Sequence, residues 1–113
     1  MEDTQLKRPK NIWTQKEYLL DFNMLVTLED LFKLARARKK VPIEGSYTNQ
    51  LLTDKSLCKK KVLEEIDELI EAVDQNTNKI HEAADVLYHL IMYLEANEIK
   101  IEDVISELES RKK

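Results

Sequence analysis

Apolar residues recur along this chain at helical spacing. Leu28, Leu31, Phe32 and Ala35 fall three or four apart, the interval that lines one face of a helix. Thr27 stands before them with Asp30 three residues on, an acidic variant of the capping box. The pattern predicts a helix starting at Thr27 and stopped by Val41 and Pro42. Residues 42–48, PIEGSYT, read as a loop, and NQLL after them as one helical turn. Asp54 or Ser56 then caps a long helix to Asp74, with Val62, Ile66, Leu69, Ile70 and Val73 as its buried stripe. The polar QNTN at 75–78 is a turn, with Thr77 as the cap of the next helix. That helix runs to Ala96 and is expected to bury Ile80, Ala83, Ala84, Leu87, Leu90, Ile91 and Leu94. Ile101 to Arg111 forms a last helix with acids early and bases late, as the helix dipole prefers.

Upstream the pattern is weaker. Pro9 breaks any early helix, and 14–22 reads as a short helix with Tyr18, Leu19 and Phe22 on one face and Trp13 as an anchor. Residues 1–24 are therefore read as an N-terminal extension and 25–113 as one helical domain. No strand alternation persists anywhere. The fold class is all-α: a helical bundle built on a long antiparallel helix pair. At 113 residues the core is small, so homodimerisation is expected to complete it.

Composition narrows the chemistry. The single glycine, Gly45, leaves no phosphate-cradling P-loop and no GxGxxG turn. A nucleotide ligand would have to be held by carboxylates and metal. The single cysteine, Cys58, excludes an internal disulfide and a multi-cysteine zinc site. It reads as a small helix residue, and a reducing, cytoplasmic setting fits it. No run of 18 apolar residues exists, so no membrane span is expected. Net charge is −4, which argues against a broad nucleic-acid footprint. The charge is uneven, however: bases cluster at Arg36–Lys40 and Lys59–Lys61, acids from Glu64 to Asp74. The Arg36–Lys40 run reads first as a helix terminus and second as a phosphate site.

The acids are not spread evenly around their helices. At about 100° per residue, Lys61, Glu65, Glu68 and Ala72 form a column beside the apolar stripe, with Glu64 just behind. On the next helix Glu82, Asp85, Val86, His89 and Tyr93 form a similar column. The short turn makes the two helices antiparallel. Glu68 then falls level with Asp85, with Glu65 and Glu82 a turn to either side. Four carboxylates across one groove repel unless a cation lies between them. A hard cation such as Mg²⁺ takes oxygen ligands and bridges to phosphates. E-x-x-E or E-x-x-D alone is usually solvated surface; the pairing on adjacent helices is what points to metal.

LEEIDELIEA followed by HEAADVLYHLIMYL resembles the signature of the MazG-like all-α nucleotide pyrophosphohydrolases. With GSYTNQLL, KKKVLEE, EAADVLYHL and IEDVISEL in order, the chain resembles the phosphoribosyl-ATP pyrophosphatase family in particular. The resemblance covers about residues 25–112. It implies Mg²⁺-dependent hydrolysis of phosphoribosyl-ATP to phosphoribosyl-AMP and pyrophosphate, in histidine biosynthesis, by a helical homodimer. It makes Glu65, Glu68, Glu82 and Asp85 metal ligands, Glu64 a further ligand or the orienter of the attacking water, and Lys61 a phosphate contact. Ser46, Tyr47 and Thr48 become a substrate-proximal loop, whose plainer reading is a helix start capped by Thr48. His89 becomes a phosphate or carboxylate contact, against a plainer reading as a buried structural histidine. His81 is expected on the solvated back face, and Tyr88 and Tyr93 in packing or dimer contacts.

Three features depart from the family pattern. Leu63 stands where a small residue is usual, and Leu57 where lysine is, so that Lys55 or Lys59 would substitute. Residues 1–24 have no counterpart. The cysteine cluster of a phosphoribosyl-AMP cyclohydrolase domain is missing, so a separate protein is expected for the following step. Two other functions share many of these features. One is a house-cleaning pyrophosphatase of free nucleoside triphosphates; the other is a non-catalytic helical dimerisation module.

Overall fold

The computed structural model describes residues 22–112. Five helices and no strand are present among them: α1 Phe22–Lys40, α2 Tyr47–Thr53, α3 Lys55–Gln75, α4 Lys79–Ala96 and α5 Ile101–Ser110. The expected all-helical bundle around an α3–α4 pair is what forms. α4 is its centre, packing against α1, α2 and α3.

Local chemistry explains the boundaries. Arg38, Lys39 and Lys40 close α1, but Thr27 lies inside α1 and is not its cap. Phe22 opens α1 within the segment read as an extension, and the rest of the expected 14–22 helix, with Trp13, lies outside the described residues. The loop after α1 turns at Gly45, whose φ of +83° is in the region glycine tolerates. Ser46, not Thr48, caps α2, its hydroxyl accepting from the Asn49 N–H. Asp54 caps α3 by accepting from Leu57 N. α3 ends on Asn76 at φ +57°, with the Thr77 N–H donating to the Ala72 carbonyl and the Asn76 N–H to that of Val73. This pair of bonds satisfies two end carbonyls, and asparagine tolerates the left-handed conformation. Asn78, not Thr77, holds the cap position of α4, without a side-chain bond.

The expected apolar stripes are buried only in part: Val62 of α3 and Ile91 of α4 are inside as expected, and Leu69, Ala83 and Leu94 are half-buried, but the other positions are not. α3 buries Cys58, Val62, Glu65 and Ala72, a line turned toward the acid column. Ile66, Ile70 and Val73 stay exposed. α4 buries His89, Ile91, Met92, Glu95 and Ala96. Ile80, Ala84, Leu87 and Leu90, expected inside, are exposed. In one chain α3 and α4 thus meet along their acid-bearing flanks and leave much of their apolar stripes uncovered. The core that does close joins Ala35, Leu51, Leu52, Cys58, Ile91, Met92 and Ala96. Cys58 is fully buried there, and burial raises its thiol pKa, which suits packing rather than nucleophilic attack.

α5 buries no residue fully. Ion pairs tie it down. Arg36 Nη1 and Nη2 donate to both oxygens of Glu102 at 2.8 and 2.7 Å, while its Nε donates to Glu95 at 3.1 Å. Lys39 donates to the Glu95 carbonyl at 2.8 Å and pairs with the carboxylates of Glu95 and Glu98. Arg36 and Lys39 thus do more than cap α1: they satisfy a buried carboxylate on α4. No helix among the described residues is long and apolar enough to cross a membrane.

Candidate active site

The α3–α4 pairing brings the predicted acids together. One oxygen each from Glu65, Glu68 and Glu82 lie within 4.8 Å of one another. Glu82 also groups with Asp85 and His81 at the same spacing. Glu82 is therefore the shared member. It reaches Glu65 and Glu68 itself, where the sequence register had put Asp85 level with Glu68. His81 is exposed as expected, yet its Nε2 lies 3.3 Å from Asp85 Oδ2, so it borders the site.

Glu65 is the electrostatic centre. It is 6% exposed, and its carboxyl pKa is raised, first by burial and then by the charge of Glu68. His89 opposes this, Asp85 adds to it, and Lys61 opposes it. Two oxygens, Glu65 Oε1 and Glu82 Oε1, are buried without a hydrogen-bond partner. Such orphaned acceptors are costly and uncommon. Acceptors crowded together from two helices, with no donor between them, fit a hard cation such as Mg²⁺.

Lys61 flanks the cluster. Its Nζ donates to Glu64 Oε1 at 3.1 Å and lies 3.9 Å from Glu65 Oε2. The Glu64 hydrogen bond is the main cause of its raised pKa, so it stays cationic. Glu64 itself is partly exposed at the outer edge of α3, beside the groove rather than in either carboxylate group.

The SYT block lies against the middle of α4, one turn beyond Asp85. Ser46 Oγ accepts from Arg38 Nη1 at 2.8 Å as well as from its own helix. Asn49 stitches the loop, donating to the Arg38 carbonyl and accepting from Ile43 N. The buried Thr48 hydroxyl bonds that of Tyr88. Tyr47 keeps an exposed side, and its hydroxyl lies 2.8 Å from His89 Nε2. The other ring nitrogen, His89 Nδ1, is 2.8 Å from the Asp85 carbonyl. A carbonyl only accepts, so Nδ1 carries a proton, and in the neutral ring Nε2 accepts from Tyr47. Burial is the first cause of the raised Tyr47 pKa, and the charges of Lys61 and Glu65 also act on it. Through His89 the phenol is linked to the turn of α4 that carries Asp85.

Reading the sequence missed Asn49, Arg38 and Tyr88 as parts of this site. Asn49 directly follows the SYT block and Tyr88 directly precedes His89, so adjacency was the available signal. Arg38 falls within the Arg36–Lys40 run, whose second reading was a phosphate site, but its bond to Ser46 depends on how the loop folds back.

Comparison with known proteins agrees with this geometry. The family model described as phosphoribosyl-ATP pyrophosphohydrolase matches residues 25–112. A phosphoribosyl-ATP pyrophosphatase of Listeria innocua is 44% identical over 87 residues, covering 74% of this chain and 84% of the relative. One from Clostridium acetobutylicum is 43% identical over 88 residues, covering 74% and 79%. The histidine biosynthesis bifunctional protein HisIE of Pyrococcus furiosus is 36% identical over 95 residues; the match spans 83% of this chain but only 44% of that larger protein. The chain belongs to the phosphoribosyl-ATP pyrophosphohydrolase family.

Proposed function

We propose that this chain hydrolyses phosphoribosyl-ATP to phosphoribosyl-AMP and pyrophosphate, the second step of histidine biosynthesis, with Mg²⁺ held by Glu65, Glu68, Glu82 and Asp85. The observation that carries this reading is the pair of buried, partnerless oxygens on Glu65 and Glu82 inside a carboxylate cluster. When bound, Mg²⁺ supplies the positive charge that the carboxylates and the phosphates both need. Lys61 adds a fixed cation at the edge and contacts phosphate. Glu64, held by Lys61, orients the attacking water and takes its proton. The water oxygen bonds to the α-phosphorus, and the α–β bridging oxygen leaves with pyrophosphate. Tyr47 and His89 border the substrate, while Ser46 and Thr48 fix the loop that carries Tyr47.

The uncovered stripes support a homodimer. Ile66, Ile70 and Val73 on α3 and Ile80, Leu87 and Leu90 on α4 are all exposed apolar side chains. Burying a large aliphatic side chain fully is worth about 1.5–3 kcal/mol, so a second copy seated there gains substantially. The expected partner in the pathway is a phosphoribosyl-AMP cyclohydrolase activity, and the setting is cytoplasmic.

The test is pyrophosphate release from phosphoribosyl-ATP, with and without Mg²⁺, beside a panel of ordinary nucleoside triphosphates. Metal-dependent release from phosphoribosyl-ATP alone is expected. Preference for free triphosphates would move the protein to a house-cleaning role. No release, and no effect of Mg²⁺ on melting, would leave a dimerisation module.

A further inference from the structure

Two hydroxyl bonds join the same two segments in opposite directions. Tyr47 of α2 reaches His89 of α4, and Tyr88 of α4 reaches Thr48 of α2. The receiving residues are both buried, His89 at 6% and Thr48 at 8% exposed. The rings interlock as well. Tyr47 and Tyr88 stack at 6.4 Å and 16°. His89 stands edge-on to both, at 5.8 Å from Tyr47 and 5.1 Å from Tyr88.

We infer that Tyr88 is a positioning residue: through its hydroxyl bond to Thr48 and its stack on Tyr47, it latches α2 to α4 and sets the Tyr47 phenol on His89 Nε2. The inference rests on the proposed site and assigns a role to a residue that bears neither metal nor substrate in that reading. α2 spans only seven residues, too few to hold a helix alone, so its contacts decide where it sits. A ring stack is tolerant of sliding; a hydroxyl pair is not, because its geometry is directional. Phenylalanine at 88 would fill the same space, yet it would strand the buried Thr48 hydroxyl. The latch also reaches the metal side. His89, wedged between the tyrosines, donates to the backbone of Asp85, one turn from its own place on α4.

Tyr88→Phe, Thr48→Val and the double variant test this. Each single change is expected to raise KM for phosphoribosyl-ATP about 5–10-fold, the scale of one lost hydrogen bond, with kcat within about 2-fold and the Mg²⁺-induced rise in melting temperature unchanged. The double variant should be no worse than the worse single, the signature of one shared interaction. Wild-type KM in either single variant, or additive losses, would overturn the latch. Amide hydrogen exchange needs no substrate. Faster exchange confined to α2 in both singles supports the latch, and unchanged exchange there defeats it. A wild-type protein inert toward phosphoribosyl-ATP would sink the proposed reaction instead, and the exchange result would still decide the latch.

Discussion

Glu65 and Glu82 come from opposite sides of the α3–α4 turn, yet their carboxylates approach within 4.8 Å, and each has one buried oxygen without a partner. Their proximity disfavours the metal-free fold and favours a cation. Glu65→Gln or Glu82→Gln should therefore raise the melting temperature of the metal-free protein. The same changes should abolish the rise that Mg²⁺ gives wild type and cut kcat by about 100-fold or more, since metal charge stabilisation is worth several kcal/mol. Scanning calorimetry with EDTA or Mg²⁺, beside an activity assay, reads all three. Near-wild-type activity in both variants would defeat the assignment.

The raised carboxyl pKa of Glu65 gives a pH dependence. In the unfolded chain Glu65 ionises near the ordinary glutamate value, about 4.3. In the metal-free fold it keeps its proton to higher pH. Between those two values the native state binds more protons than the unfolded state, so this group's contribution to stability falls as pH rises. Metal-free wild type should therefore lose ground to Glu65→Gln as pH climbs through that window, with the gap constant above it. Mg²⁺ requires the ionised carboxylate, so its stabilisation should grow over the same window. Melting curves against pH, with and without Mg²⁺, check both signs.

The helices and the acid cluster were legible because both are local. Spacing of three and four fixes which residues share a face, and a short polar turn forces antiparallel pairing. Which face packs was not legible. The apolar stripe of α3 outnumbers the flank bearing Glu65, yet the flank meets α4 while Ile66, Ile70 and Val73 stay outside. A hydrophobic pattern reports that a face is covered, not whether the same chain or another copy covers it. The Arg36–Glu95 bond spans 59 positions, and no local period encodes such a pair. Ser46 displaced Thr48 as the cap because the chain turns at Gly45 and α2 starts at Tyr47, two residues before the expected start at Asn49.

Glu95 is 4% exposed and is held by both Arg36 and Lys39. Removing Arg36 leaves a buried carboxylate with one cation. Arg36→Leu should destabilise the fold clearly, though less than losing both cations would, because Lys39 remains on the buried carboxylate. Glu102→Ala is the control. The Arg36 guanidinium holds the exposed Glu102 carboxyl down at about 2. An exposed pair is screened by solvent and contributes little, so the global effect should be small and confined to α5. Urea unfolding ranks the two variants, and equal losses would contradict the burial argument.

The exposed stripe predicts where the dimer breaks. Ile70 and Val73 are 54% and 55% exposed on α3, and Leu87 is 45% exposed on α4. None contacts the acid cluster through any hydrogen bond, since their side chains have none to make. Ile70→Lys places a charge where a second copy would have to desolvate it, a cost of several kcal/mol for an unpaired ion. Sedimentation equilibrium should show wild type as a dimer and Ile70→Lys as a monomer at micromolar concentration. The monomer should also melt lower and lose its dependence of melting temperature on protein concentration, because association stabilises only the folded chain. A monomeric wild type would mean that some other surface covers this stripe, and the homodimer would fall. An unchanged dimer in the variant would move the interface elsewhere, with the α1–α5 groove lined by Leu25, Leu28 and Ile105 as the next place to probe.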